Sequence, residues 1–347
     1  MTMRTQGKRC MPPYRLLTFD IGGTKTNTAL FSGRAEDLTA LSPPIFSQAF
    51  QNADFPGPEE MMGAALKSSG APVDMVVLAV AGPVTREGAR LTNLPWTIDR
   101  TALKARFNLP HLHIINDLEA LALGIPYLRD KELQVVNDRP AVPEATIAVI
   151  APGTGLGESF LTWTQGRYMA HPTEGSHSDF APVDATQIAL LQFMLQTHDH
   201  VSYERLCSGI GLHNIYRFLK VHFGLAEPAW LTEKFAAEQD AAKTIITAAN
   251  DSSRPCDICN RTVEMFISIL GAEAGNLALR TLPKGGLYIG GGIPPRIRSF
   301  FSSGHFMAAF RHKGRMQPLL EAIPVKIILN PGIPLYGAAC YGLQSIS

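Results

Sequence analysis

The sequence lacks a strong charge of either sign. Its 31 Lys and Arg residues stand against 30 Asp and Glu residues, which gives a formal net charge of +1 over 347 residues. Electrostatic attraction to nucleic acid or to an anionic membrane needs a marked excess of basic residues. We therefore expect no nucleic-acid partner and no membrane partner, and any anionic ligand has to be held by groups placed locally around it.

Cysteine is scarce and long apolar runs are missing. The five cysteines are odd in number and scattered, which argues against a disulfide framework and for a reducing compartment. Cys256 and Cys259 form a CxxC that could be half of a zinc site, but no second CxxC or Cys/His pair stands nearby. No run approaches the about 18 apolar residues of a membrane span, and residues 1–13 have no apolar signal-peptide core. The sequence predicts a cytoplasmic protein with a disordered leader at 1–13.

The pattern of apolar residues indicates two α/β domains. An apolar fraction of 46% is ample for globular cores. The length suits two domains of about 100 to 200 residues each. Strand-like runs alternate with helical patterns in both halves, which is typical of mixed sheets covered by helices. The strand-like runs are 16–20, 26–31, 75–80, 113–115, 147–150, 286–289 and 326–329; the helical patterns are 59–67, 99–107, 185–196, 211–221, 256–281 and 335–343.

The helical pattern at 118–125 departs from this alternation, so we place the domain boundary after Asp117. The prediction is a small α/β domain at 14–117 and a large α/β domain at 118–331. The helix at 332–347 is expected to complete the small domain, because the small residues Gly337, Ala338 and Ala339 permit close packing.

Each half contains a strand, a glycine turn and a second strand. The two turns are Asp20-Ile21-Gly22-Gly23-Thr24 and Gly153-Thr154-Gly155-Leu156-Gly157, and a third glycine turn at 290–292 follows another strand. Glycine has no Cβ, so backbone N–H groups in such turns can approach an anion closely. Each turn alone is equally compatible with an ordinary β turn. Their pairing one domain length apart favours two equivalent domains flanking a cleft, with both turns holding a phosphate chain.

Several polar residues occur where ligands commonly bind. Asn116 and Asp117 follow a strand and precede a helix, which places them at the carboxyl end of that strand. An Asp in that position is also an ordinary helix N-cap. Glu174 and His177 lie in a loop and suit recognition of hydroxyl groups, although a solvated loop explains them as well. Glu204 is compatible with an ordinary helix carboxylate.

Six motifs in this order resemble those of the bacterial-type glucokinases, members of the hexokinase and actin-like ATPase superfamily. They are Asp20-Ile-Gly-Gly-Thr24, Ile115-Asn-Asp117, Gly153-Thr-Gly-Leu-Gly157, Glu174-Gly-Ser-His177, Glu204-Arg-x-x-Ser-Gly209 and Gly290-Gly-Gly-Ile293. The resemblance implies two actin-like ATPase (ribonuclease H-like) domains and transfer of the γ-phosphate of ATP to the 6-hydroxyl of glucose.

The resemblance also implies a role for each matching residue. Asp117 would be the general base, and Asp20 would lie near Mg²⁺ and contact it through water. Glucose would be bound by Asn116, Glu174, His177 and Glu204. The phosphates would be held by Gly22, Gly23, Thr24, Gly153, Thr154 and Gly155, with Gly290 and Gly291 beside the adenosine. Glucose and ATP are then the small-molecule partners, and the family allows a homodimer.

Three positions depart from the family pattern, and two classes of alternative remain. Lys25 replaces a common asparagine and is expected to be solvated. Thr173 and Ser176 replace glycines beside Glu174, and their side chains could narrow the sugar pocket. A kinase for another hexose or for an amino sugar is therefore one alternative. The other is a protein of the same fold without this activity, either a sugar-sensing regulator or a filament-forming ATPase.

Overall fold

The computed structural model describes residues 12–38, 41–91, 94–238 and 240–346, so the predicted leader lies outside the described residues except for Pro12 and Pro13. Contacts divide the chain into two compact units. One unit contains the residues up to Tyr127 together with those from Gly332 onward, and the other contains Leu128–Pro331. The first unit thus extends past Asp117, where we expected the boundary.

The first unit is built on a five-stranded sheet with the order β3-β2-β1-β4-β7. Strands β1, β2 and β3 are antiparallel neighbours, whereas β1, β4 and β7 run parallel. Its elements are β1 (Tyr14–Ile21), β2 (Lys25–Gly33), β3 (Phe46–Gln51), α1 (Pro58–Ser69), β4 (Met75–Val80), β5 (Gly88–Arg90), β6 (Thr97–Asp99), α2 (Arg100–Arg106), β7 (His111–Asn116) and α3 (Asp117–Gly124), with the last helix of the chain at Ile333–Gln344.

Helices cover both faces of this sheet. Alternate residues of β1 belong to opposite cores: Phe19 packs in the cluster that contains Met61 of α1, and Leu16 packs with Ala339 of the last helix. The last helix also lies tightly on α3, since a Cβ at Gly337 would come within 1.7 Å of the carbonyl oxygen of Ala120. Helix α3 therefore packs on the sheet that precedes it, which is why the first unit continues beyond Asp117.

The second unit is built on a six-stranded sheet with the order β11-β10-β9-β12-β13-β8. Its elements are β8 (Leu133–Asn137), β9 (Ile147–Pro152), β10 (Leu156–Thr164), β11 (Arg167–Thr173), α4 (Ala185–Leu195), α5 (Gly209–His222), α6 (Ala229–Ala237), α7 (Ala241–Ala249), α8 (Asp257–Thr281), β12 (Gly286–Ile289), α9 (His305–Arg311), α10 (Gln317–Glu321) and β13 (Val325–Ile328), and the last helix, in the first unit, is α11.

The two sheets repeat one design. In the first sheet, β3, β2 and β1 are antiparallel neighbours, and β4 and β7 continue the sheet parallel to β1. In the second sheet, β11, β10 and β9 are antiparallel neighbours, β12 and β13 continue it parallel to β9, and β8 adds an antiparallel edge strand. The predicted strand–turn–strand pattern at both glycine turns is confirmed as the hairpins β1–β2 and β9–β10. The predicted α/β class with duplicated ribonuclease H-like sheets is likewise confirmed.

Helix α8 is the central helix of the second core. It is the helix in the described ranges that is long and apolar enough to cross a membrane, but 72% of its most apolar window is buried inside the protein. Cys259 on this helix and the preceding Cys256 are buried, and burial raises the pKa of the Cys259 thiol. No group of three metal-ligating side chains occurs among the described residues. Both thiols therefore behave as core side chains.

Candidate active site

The first glycine turn joins β1 to β2 and is braced by Asn52. The side-chain amide of Asn52 donates to the carbonyl of Gly22 at 2.8 Å, and its backbone N–H donates to the carbonyl of Thr24 at 2.9 Å. Its side-chain oxygen accepts from the Thr26 hydroxyl at 2.8 Å. Because Asn52 is buried, these bonds fix the turn from the protein side. Gly23, Thr24 and Lys25 are exposed on the other side, as expected for Lys25.

Asp20 is the penultimate residue of β1, two residues before Gly22. It is paired in register with Asn27, whose amide is 3.4 Å from the Asp20 carboxylate. Burial raises the pKa of Asp20, and the Asn27 hydrogen bond and the charge of Lys25 oppose that rise. A desolvated carboxylate beside a glycine turn suits Mg²⁺, which commonly takes one or two protein carboxylates and completes its shell with phosphate oxygens and water.

Asn116 and Asp117 lie at the same edge of the first sheet. Strands β1, β4 and β7 are parallel, and their register places Ile21, Val80 and Asn116 in one row. Asn116 is the N-cap of α3, because its side-chain oxygen accepts from the N–H groups of Leu118 at 2.9 Å and Glu119 at 3.4 Å. The N-cap role considered for Asp117 thus belongs to its neighbour.

Asp117 is the first residue of α3. One carboxylate oxygen accepts from the Leu118 N–H at 2.8 Å. The positive end of the helix dipole stabilises a negative charge there. The structure therefore places an oriented carboxylate where a parallel strand ends, on the sheet edge that also carries the first glycine turn.

The second glycine turn is held by Glu204 and by the start of α5. The N–H of Leu156 donates to the Glu204 carboxylate at 3.0 Å, and the N–H of Gly209 donates to the carbonyl of Gly153 at 2.9 Å. A Cβ at Gly155 would lie 2.6 Å from the Glu204 carboxylate, so a side chain there would require Glu204 to shift. Glu204 therefore contacts the turn that was predicted to bind phosphate.

Glu204 lies in a turn, so its interpretation as a helix carboxylate was wrong. The N–H of Tyr203 donates to the carbonyl of Ser178 at 3.2 Å, and the N–H of Glu204 donates to that of Ser176 at 3.0 Å. These bonds to another loop hold the segment out of helical geometry, and α5 begins only after its N-cap, Ser208. They also bring Glu204 beside the loop that carries Glu174 and His177.

Glu174 is the N-cap of a short 3₁₀ turn at Gly175–His177 after β11, and His177 is the last residue of that turn. Their side chains are 89% and 56% exposed, and the His177 Nε2 atom lies 3.8 Å from the Glu174 carboxylate. Three of the predicted sugar-binding residues, Glu174, His177 and Glu204, thus occur on two adjoining loops of the second unit. Two carboxylates and an imidazole offer the mixture of acceptors and donors that several hydroxyl groups require.

Thr173 and Ser176 have roles inside the loop. The Thr173 hydroxyl donates to the carbonyl of Glu158 at 3.2 Å and accepts from the N–H of Gly175 at 3.2 Å. Ser176 is buried. The Thr173 hydroxyl is therefore engaged by its own neighbours, and the Ser176 side chain is withdrawn from solvent.

The third glycine turn packs against the end of β9. The N–H of Gly290 donates to the carbonyl of Ile150 at 2.9 Å. Gly291 has a φ of +83°, and a Cβ there would come within 2.3 Å of the carbonyl oxygen of Pro152. Glycine is required at Gly291 both by its backbone conformation and by this approach. The turn predicted to lie beside adenosine thus adjoins Gly153 of the second glycine turn.

Sequence reasoning missed two residues that support these loops, Asn52 and Glu158. Asn52 follows β3, a strand whose only buried residue is Phe50, so no apolar pattern drew attention to it. Glu158 is a buried acid inside the apolar strand β10. An acidic residue in such a strand is the signal that could have identified it.

The chain is similar to known proteins over most of its length. The family model described as Glucokinase matches residues 17–345. A glucokinase from Nostoc punctiforme is 39% identical over 337 residues, covering 93% of this chain and 97% of its own length.

The chain belongs to the glucokinase family.

Solved structures of other proteins share the fold. A crystal structure of a glucokinase from an Antarctic psychrotroph is 32% identical, has a TM-score of 0.82, and is matched over 96% of this chain and 99% of its own. The structure of a ROK family glucokinase from Streptomyces griseus in complex with glucose and AMPPNP is 20% identical, with a TM-score of 0.62 and coverage of 94% and 98%. The second likeness extends the shared fold to more distant sugar kinases.

Proposed function

We propose that this chain is an ATP-dependent glucokinase in which Asp117 acts as the general base on the 6-hydroxyl of glucose. The observation that carries the proposal is the position of Asp117. It begins α3 at the carboxyl end of β7, on the sheet edge that also holds Asp20 and the glycine turn braced by Asn52. Membership of the glucokinase family supports the same assignment.

The main task of Asp117 in this reaction is to orient the attacking hydroxyl group. An unperturbed Asp has a pKa of about 3.9, far too low to deprotonate an alcohol before reaction. The proton therefore leaves the hydroxyl late, as the bond to phosphorus forms, and the carboxylate holds the attacking oxygen in line until then. The Leu118 N–H that donates to Asp117 fixes the carboxylate for this task.

The proposal assigns the sugar hydroxyls other than the attacking one to Asn116, Glu174, His177 and Glu204. The exposed carboxylate of Glu174 and the imidazole of His177 are open to a ligand. One oxygen of Glu204 already accepts from Leu156, so its remaining acceptor capacity serves a hydroxyl. We propose glucose as the sugar because the chain belongs to the glucokinase family, and because the Thr173 hydroxyl, which is bonded to Glu158 and Gly175, gives no reason to expect a narrowed pocket.

The phosphates of ATP are assigned to Gly22, Gly23, Thr24, Gly153, Thr154 and Gly155, and the adenosine to Gly290 and Gly291. Backbone N–H groups in glycine turns stabilise the charge that spreads over the transferring phosphoryl group. Asp20 would hold Mg²⁺ through water, and the ion would supply positive charge at the phosphate oxygens. The AMPPNP and glucose bound by the Streptomyces griseus relative support the choice of both substrates. We place the enzyme in the cytoplasm, and a homodimer is compatible with the assignment.

The decisive experiment replaces Asp117 with asparagine. Asp117→Asn keeps the size of the side chain and loses the base, so kcat for glucose phosphorylation should fall about 10² to 10⁴-fold. The dissociation constant for glucose, measured by calorimetry, should change little. Asp138→Asn, at an exposed carboxylate of the second unit, is the matched control and should retain wild-type turnover.

Near-normal turnover of the Asp117 variant would remove that residue from its role. A wild-type chain that binds glucose without phosphorylating it would support the sugar-sensing alternative instead.

A further inference from the structure

A buried carboxyl group that the proposed mechanism does not use lies beneath the loop of Glu174 and His177. It belongs to Glu158 on β10, which is 1% exposed. Neither of its carboxylate oxygens has a hydrogen-bond partner among the residues that the structure describes. Buried polar groups are nearly always paired, so this exception calls for a physical reason.

Three contacts join Glu158 to the base of that loop. Glu158 and Thr173 are partners in the β10–β11 register. The Thr173 hydroxyl donates to the Glu158 carbonyl at 3.2 Å. A Cβ at Gly175 would lie 2.5 Å from the Glu158 carboxyl oxygen, so the carboxyl group is packed directly against Gly175. The Glu158 side chain thus fills the space under Gly175, the residue between Glu174 and Ser176.

A second buried acid, Glu273 on α8, takes the available donors. Its carboxylate accepts from Arg280 at 3.1 Å and from the side-chain amide of Asn276 at 2.8 Å. Lys313 donates to the oxygen of the same amide at 2.7 Å. Burial raises the pKa of Glu273, and the Asn276 amide, Arg280 and Lys313 oppose that rise. Glu273 lies close enough to Glu158 for the two carboxyl groups to interact, and of the pair only Glu273 has donors that favour its anionic form.

The pattern of donors indicates that the pair holds one proton and that it resides on Glu158. Burial raises the pKa of Glu158, the negative charge of Glu273 raises it further, and Arg280 opposes the rise. The other titratable groups at this cluster are Lys313, Tyr203 and Cys207. Burial raises the pKa of Tyr203 to about 12 and also raises that of Cys207, so neither carries charge at neutral pH.

The same cluster reaches the turn that carries Glu204. The amide nitrogen of Asn276 donates to the Tyr203 hydroxyl at 3.1 Å as well as to Glu273. Tyr203 precedes Glu204, and its backbone N–H donates to the carbonyl of Ser178. The buried pair therefore supports both loops to which the sugar-binding residues of the second unit belong.

We propose that Glu158 is a positioning residue, whose uncharged carboxyl group supports the Glu174–His177 loop and thereby sets the affinity for glucose. The proposal rests on the assignment of Glu174, His177 and Glu204 to the sugar. Ionisation of Glu158 beside the Glu273 anion would place an unpaired charge under Gly175. Glucose affinity should consequently weaken as the pH rises through the alkaline range.

The experiment compares Glu158→Gln, Glu158→Ala and the exposed control Glu233→Gln with the wild type. Glutamine keeps the shape of the neutral acid and can donate to Glu273, whereas alanine leaves a cavity under Gly175. Glu158→Ala should raise the Kd and KM for glucose about tenfold, equivalent to about 1.4 kcal/mol, with kcat changed much less. Glu158→Gln should restore both values to within about twofold and flatten their alkaline rise, because glutamine does not ionise.

A measurement without sugar separates this inference from the proposed function. In hydrogen exchange of the free protein at one pH, the segment 173–178 should exchange about tenfold faster in Glu158→Ala than in the wild type or Glu158→Gln, since its support is lost. Unchanged exchange, or an alkaline rise in Kd that persists in Glu158→Gln, would overturn the positioning role. Faster exchange in a chain that does not phosphorylate glucose would overturn the proposed function and leave the structural support of the loop established.

Discussion

Replacing Gly291 with alanine tests whether the third glycine turn has to approach the end of β9 closely. Two effects contribute to the expected loss of stability. The φ of +83° lies in the left-handed region, where an L-residue with a Cβ is disfavoured by about 1–2 kcal/mol. The new methyl group would also lie 2.3 Å from the carbonyl oxygen of Pro152, a backbone atom of β9 that cannot rotate aside. Overpacking of this kind costs about 1–3 kcal/mol.

Gly304 provides a control in which only the first effect operates. Its φ is +85°, close to that of Gly291, but a Cβ there would meet nothing within 4 Å. Both changes are Gly→Ala, so the gain from a less flexible unfolded chain is common to them. Gly291→Ala should therefore lower the free energy of unfolding by about 2–5 kcal/mol and Gly304→Ala by about 1–2 kcal/mol.

The assay is thermal and denaturant unfolding of both variants, together with the KM for ATP. The KM should rise in Gly291→Ala, because the displaced turn adjoins Gly153, and should stay near the wild-type value in Gly304→Ala. Equal losses of stability in the two variants would refute the argument from close approach. An unchanged KM in a destabilised Gly291→Ala would refute the placement of the adenosine beside this turn.

Two further predictions concern other supports of the fold. Asn52→Ala removes the hydrogen bonds to Gly22 and Thr26, so it should destabilise the protein by about 1–3 kcal/mol. It should also raise the KM for ATP and leave the Kd for glucose unchanged. A selective loss of glucose binding would contradict this prediction. Burial alone would raise the pKa of Glu227, but hydrogen bonds from Lys220, Thr232 and Tyr216 lower it to about 2. The carboxylate stabilises the folded state fully above the pKa of Glu in the unfolded chain, about 4.3, and this stabilisation is lost as the pH falls through the folded-state pKa of about 2. The Tm of Glu227→Gln should therefore lie below that of the wild type at pH 7 and match it near pH 2.

Strands that are buried on both sides could be predicted closely from the sequence. All six residues of β4 are buried, and the continuous apolar run at 75–80 gives its bounds without error. Strand β3 was missed because Phe50 is its only buried residue, so it lacks both an apolar run and a clear alternation. Its place in the sheet comes from pairing with β2, a long-range contact that no local pattern encodes.

In the candidate site too, residues with a local sequence signal could be predicted, and residues placed by long-range contacts could not. The glycine turns and the polar residues that end β7 could be identified because strand ends and turns have local signals. The geometry of Glu204 could not, since bonds from its segment to Ser176 and Ser178 override the local preference. The pairing of Glu158 with Glu273 depends on which face of β10 meets which face of α8, and that is decided only when the second core is assembled.

The two glycine turns are supported by chemically different groups although the sheets repeat one design. The first turn is braced by the neutral side chain of Asn52, which has no assigned contact with sugar. The second is braced by the carboxylate of Glu204, which is also assigned to a sugar hydroxyl. If glucose binds Glu204 and the second turn holds phosphate, as proposed, the two ligands would be linked through the hydrogen bond from the Leu156 N–H to Glu204. Because coupling between two ligands is reciprocal, bound glucose should then change the affinity for ATP, and bound ATP the affinity for glucose, through the second turn. We expect no such coupling through the first turn, which is assigned to the nucleotide alone.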